Sequence, residues 1–175
     1  MFAFLGPYHP QIVHTPIVLL IFSAFFGILA RLMDRDWLRK TSTLLLVFGF
    51  LGAFFAVQSG KPAHKVPEHE QGVPERLIDD HETKATWCLY MSGAALLLVV
   101  IASRTKGGMQ STAAVLALVA QILAATIVGV TAKLGGALVY EHGAHVMVDG
   151  KLVKSANAGQ GQGDRDEERE GAGAK

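Results

Sequence analysis

The residue types most able to do chemistry in this chain are its seven histidines, and their positions follow a rule. His9 and His14 lie before or just inside the first apolar block, His64, His69 and His81 between the second and third, and His142 and His145 after the fourth. If those blocks cross a bilayer up and down, one membrane face carries every imidazole. Neutral imidazole is the commonest side-chain ligand for metals, haem iron included. His9 and His14 are five residues apart, about 140° around a helix of about 3.6 residues per turn, so they cannot grip one ion from a single regular face. His14 must therefore find a partner on another segment. Axial haem coordination asks for that arrangement, with two imidazoles from different helices on opposite sides of a flat apolar macrocycle. His81 and His142 are the candidates to face His14, near Phe2, Phe4, Tyr8, Trp87, Tyr90 and Tyr140. His64, His69 and His145 lie in polar segments and are expected to be solvated. His142 and His145 have an i, i+3 spacing suited to a divalent metal, but Gly143 between them argues against a helix. A structural alternative stays open for each ring: His14 hydrogen-bonding across the bundle, and His81 exposed in a first helical turn.

The elements that position these side chains are membrane spans. Half of the 175 residues are apolar and 18% are charged, and the apolar ones arrive in long blocks. Four blocks, at about 12–32, 41–59, 85–103 and 111–132, approach the ~20 residues that cross ~30 Å of hydrocarbon at ~1.5 Å per residue. The expected fold is all-α, an integral membrane antiparallel four-helix bundle over residues 1–147, followed by a polar disordered tail, 148–175, rich in Gly, Gln and charge. No charged side chain precedes Arg31 and the leading apolar run is full length, so the first span is expected to be retained rather than cleaved as a signal peptide. A single cysteine, Cys88, excludes an internal disulfide and reads as a packing residue, and no Cys-x-x-Cys-His motif offers a covalent haem site. The net charge of +1 carries no information about nucleic acid, and no nucleic-acid partner is expected. Its distribution does orient the chain. Arg31, Arg35, Arg39 and Lys40 mark one short turn and Arg104 and Lys106 the other, so the positive-inside rule makes both turns cytoplasmic. Both termini and all histidines then face outward, to the periplasm if the membrane is a bacterial inner membrane.

Local sequence refines the elements. Pro10 suits a helix start, whereas Pro16 frees the carbonyl of Ile12 and kinks the first turns, which predicts a packed, opened region around His14 and Thr15. Small residues at Gly49, Gly52, Ala53, Ala56 and Gly60, at Ala113, Ala117, Gln121, Ala125 and Gly129, and at Ser23 and Gly27 predict close helix contacts, with Gln121 hydrogen-bonding across them. Pro62, Pro67, Gly72 and Pro74 predict a stiff polar loop; Asp79 and Asp80 predict the cap of span three, which puts His81 at the membrane surface. Gly135-Gly136 predicts a break that lays the following segment over the bundle mouth.

Three stretches together resemble a known bacterial membrane family, domain of unknown function 2231: His9-Pro10-Gln11-Ile12-Val13-His14-Thr15-Pro16-Ile17, Asp80-His81-Glu82, and Gly135-Gly136-Ala137-Leu138-Val139-Tyr140-Glu141-His142-Gly143. The resemblance covers about residues 6–147, with Thr15 where the family often has Phe. It implies a four-span membrane protein without an assigned activity, and points by matching position to His9, His14, His81 and His142. Members found beside cytochrome-type and iron-sulfur modules favour electron transfer by association.

The resulting expectation is a membrane protein that binds haem b through His14 with His81 or His142 near the outer face, His9 being the remaining candidate, and that passes electrons to a redox protein or quinone. The alternative is a non-catalytic membrane subunit or scaffold whose histidines are structural or bind Zn or Cu. No nucleophile–base pair, phosphate loop or buried carboxylate pair points to a hydrolase or kinase, and independent catalytic activity is not expected. Four spans without a buried acidic relay offer little to a transporter, although a homo-oligomer would have a path between subunits.

Overall fold

The computed structural model describes residues 3–64, 74–142, 144, 147–148 and 151–152. A 3-10 helix, Ala3–Tyr8, leads into α1 (His9–Ile12), α2 (His14–Met33), α3 (Asp36–His64), α4 (Glu75–Arg104) and α5 (Gly107–Tyr140). Four of these segments are long and apolar enough to span a membrane: Phe4–Met33, Asp36–Pro62, Glu75–Arg104 and Gly107–Tyr140. Helix α4 packs most extensively on α5, and α2 on α3; contacts of α2 with α5 and of α3 with α4 close the ring. The result is the expected antiparallel bundle. One small addition is an antiparallel pairing of β1 (Met147–Val148) with β2 (Lys151–Leu152). The tail from residue 153 lies outside the described residues, as do His69, His145, Pro67 and Gly72; for His64 only the backbone is described.

The core is built from small and medium side chains, as bilayer-embedded packing requires when no hydrophobic effect drives helix association. Leu20, Leu46, Cys88, Ala95, Ala120 and Val128 form its main cluster. Cys88 is buried and its thiol donates to the Ala124 carbonyl at 3.6 Å. Gly49 and Gly52 admit the first span closely. An added Cβ at Gly49 would lie 2.7 Å from Leu20 Cδ2, and one at Gly52 would lie 3.2 Å from both Pro16 N and Cδ. Deeper in the bundle, Ser23 and Ser42 exchange hydrogen bonds, each hydroxyl donating to the other's main-chain carbonyl at 3.0 and 2.9 Å. The Gln121 amide closes over both hydroxyl oxygens at 3.5 and 3.1 Å, the cross-helix role its sequence position predicted.

Several expectations are corrected. The helices outrun the predicted spans at the histidine end because their polar extensions still pack: Ile78, Leu138 and Ala144 form a second buried cluster there. Helix α3 accordingly continues through Pro62, and α4 begins directly after Pro74, so Asp79 and Asp80 lie inside the helix rather than capping it. Helix α5 runs unbroken through Gly135-Gly136 and turns only after Tyr140, where Ala144 N–H returns to the Leu138 carbonyl at 2.9 Å. The stripe expected to end at Gly129 drifts out of the core, since steps of four residues gain about 40° each on a period of about 3.6; Ala124, Val128 and Thr131 are buried instead and Gly129 faces open space. Pro16 acts as predicted in separating α1 from α2 at Val13; His14 is exposed rather than packed, whereas Thr15, also largely exposed, keeps its Cγ2 against Gly52 of α3.

Candidate functional site

Counting from the two short turns explains which residues meet. His9 lies 24 residues before the end of α2 at Met33, and Ser59 lies 23 after the start of α3 at Asp36. His81 lies 23 before the end of α4 at Arg104, and Thr131 lies 24 after the start of α5 at Gly107. At about 1.5 Å per residue, all four stand about 35 Å from the turn end, just beyond one hydrocarbon thickness of about 30 Å. Every strut of the bundle thus delivers one residue to the same level at the histidine end.

At that level the side chains interlock. Ser59, fully buried, donates its hydroxyl hydrogen to the Ala56 carbonyl at 3.0 Å and lies 2.9 Å from His9 Nδ1. A hydroxyl has one hydrogen, so when Ser59 donates it to Ala56 its oxygen accepts from His9 Nδ1, the roles at His9 being set by the tautomer. His81, 8% exposed, has Nδ1 3.0 Å from the Thr131 main-chain carbonyl, which can only accept. His81 therefore carries a proton on Nδ1, and His9 does so in the arrangement in which Ser59 donates to Ala56. The two ring centres are 6.4 Å apart with planes at 89°. Metal–nitrogen bonds of about 2.0–2.1 Å place the centres of two imidazoles about 6 Å apart across one metal, and about 5 Å apart at a tetrahedral angle. The observed separation is close to the wider value, and the rings meet edge-on. Anchoring of the second ring nitrogen on a fixed acceptor is also how metal-bound histidines are oriented.

The other predicted site residues lie elsewhere. His14 is five residues, about 7 Å, deeper than His9 and is exposed on the bundle surface, so the structure pairs His81 with His9 rather than with His14. His142 follows the end of α5, which reaches Tyr140 nine residues, about 13 Å, beyond Thr131. It is half-buried, and its Nδ1 has no hydrogen-bond partner among the described residues. No group of three or more His, Cys, Asp or Glu side chains converges on a metal position among the described residues. An open apolar groove walled by Ile12, Leu19, Phe48, Leu51 and Phe55 runs between the first span and α3, and neither His9 nor His81 lines it. Sequence reasoning missed Ser59 and Thr131, whose shared distance from the turns is the signal that would have found them.

Fold and site together define a four-span integral membrane protein with a histidine pair at one end. Residues 6–148 match the model of the family described as "Predicted membrane protein (DUF2231)", and the chain belongs to that family. No curated protein and no solved structure matches it.

Proposed function

We propose that the bundle binds haem b through His9 and His81, and takes part in electron transfer at that end of the membrane. The observation that carries this reading is the meeting of two imidazoles from different struts, 6.4 Å apart between ring centres, each with Nδ1 against an oxygen of a neighbouring helix. The donor count supports it as well. Two imidazoles would suffice to hold a haem iron, whereas structural Zn takes four protein ligands. When bound, haem would supply reversible one-electron chemistry. The chain's own part is to orient the two imidazoles from α1 and α4, on different struts of the bundle, at the membrane boundary. The basic residues of the short turns support an orientation with those turns cytoplasmic and the histidine end facing the periplasm of a bacterial inner membrane, where a redox protein or a membrane quinone would exchange electrons with the site.

The test is the absorption spectrum of detergent-purified protein before and after dithionite. A reduced α-band is expected, lost in His9→Ala and in His81→Ala and retained in His14→Ala. A band that persists in the first two variants, or protein isolated colourless with its native partners, overturns the proposal. A second reading has its own support: the hydrogen bonds of His9 and His81 already tie α1 to α3 and α4 to α5, which suits a scaffold whose imidazoles are structural or hold Zn or Cu. Colourless protein with stoichiometric copper or zinc, lost in the same two variants, is the signature of its metal form.

A further inference from the structure

We infer that Gly135 is a positioning residue for His81, its missing side chain forming the seat that holds the imidazole against α5 and sets its distance from His9. An ideal Cβ at Gly135 would stand 3.0 Å from His81 Cε1, 3.5 Å from Nδ1 and 3.9 Å from Nε2. The shortest of these is tighter than nearly all contacts of real Cβ atoms, and what it meets is the flank of a rigid ring. The ring has little room to yield. It is buried between the two helices that pack most extensively, is tied through Nδ1 to the Thr131 carbonyl at 3.0 Å, and has the His9 ring on another side at 6.4 Å.

Thr131 and Gly135 are one turn apart on α5, so one carbonyl and one bare Cα form a single socket. The adjacent glycine provides a built-in contrast. A Cβ at Gly136 would meet only Tyr140 Cδ2, at 3.9 Å, an ordinary contact. Neither glycine has a positive φ, so the backbone conformation requires neither of them. Glycine inside a helix is destabilising relative to alanine, and at position 135 the imidazole explains its use.

The consequence for metal binding rests on the proposal that the pair holds a metal; the seat itself does not. The experiment compares Gly135→Ala, Gly136→Ala and wild type as full-length protein in detergent, by 15N NMR of the imidazoles and by haem titration. Gly135→Ala is expected to lose the signature of His81 protonated and hydrogen-bonded at Nδ1, and to bind haem about 10- to 100-fold more weakly, as for loss of other orienting partners. Gly136→Ala is expected to match wild type in both. An unchanged His81 signature in Gly135→Ala, or an equal change in Gly136→Ala, overturns the inference. If wild type takes up no haem, the NMR comparison still decides the role of Gly135 and only the haem reading falls. Should Gly135→Ala fold poorly, its cost is read in a His81→Ala background: there the ring is gone and the added methyl has room. A cost of the same size with and without the ring also overturns the inference.

Discussion

Replacing Ser59 with alanine separates a designed histidine anchor from incidental packing. Ser59 is fully buried and bonds in two directions; when it donates to the Ala56 carbonyl of its own helix at 3.0 Å, it accepts from His9 Nδ1 at 2.9 Å. The second bond is a local back-bond to a carbonyl in the preceding turn, and its loss matters little. Loss of the first leaves an N–H donor without its acceptor, which costs about 1–3 kcal/mol when the donor is fully buried. His9 is only half-buried, so its ring has a route to water and the lower end of that range applies, about 1 kcal/mol. That energy also favours the Nδ1–H tautomer over the alternatives, and a shift of about 1.4 kcal/mol is tenfold in an equilibrium. Ser59→Ala should therefore weaken haem binding about tenfold and let His9 populate other tautomers, with the bundle still folded. The assay is 15N NMR of the imidazoles together with haem titration, and Ser92→Ala is the control. Ser92 is equally buried and bonds its own helix at Leu89 O, 3.0 Å away, with no histidine involved. If His9 keeps its proton on Nδ1 in Ser59→Ala, or if Ser92→Ala has the same effect, the tautomer argument is wrong.

Three further substitutions concern the bundle. Ser42→Ala removes a hydroxyl that donates to the Ser23 carbonyl and lies under the Gln121 amide; interhelical hydrogen bonds in membranes are worth about 0.6 and up to about 1.7 kcal/mol, and unfolding in mixed micelles should show a loss in that range. Gly49→Ala forces a Cβ to within 2.7 Å of Leu20 Cδ2 and 3.3 Å of its main-chain nitrogen, and should cost about 1–3 kcal/mol by overpacking. Gly129→Ala enters open space and should stabilise by about 0.5–1 kcal/mol; the opposite order in thermal unfolding would refute the packing described here.

The four spans were legible because apolar blocks of span length leave few alternatives in an 175-residue chain that is half apolar. Their ends were not, because beyond the hydrocarbon the signal passes from composition to packing. Asp79 and Asp80 look like a cap, yet Ile78 and His81 beside them are buried against α5 and keep α4 helical back to Glu75. Gly135-Gly136 looks like a break, yet glycine only permits one, and packing against α4 holds α5 straight.

The site was half legible for a related reason. Chain order alone places the histidines at one end, but partners across a bundle are set by depth, and depth is counted from the turns. The angle between His9 and His14 on one helix separates them without saying which one faces His81. The count does say: His9 shares the level of Ser59, His81 and Thr131 to within one residue, whereas His14 is five residues deeper. Because both short turns are only two residues long, Asp34-Arg35 and Thr105-Lys106, little slack enters that count. Lengthening one turn-proximal helix of this bundle by a residue would move its side chain about 1.5 Å and about 100° from the others, so the His9–His81 pair should tolerate insertions above its level far better than below it.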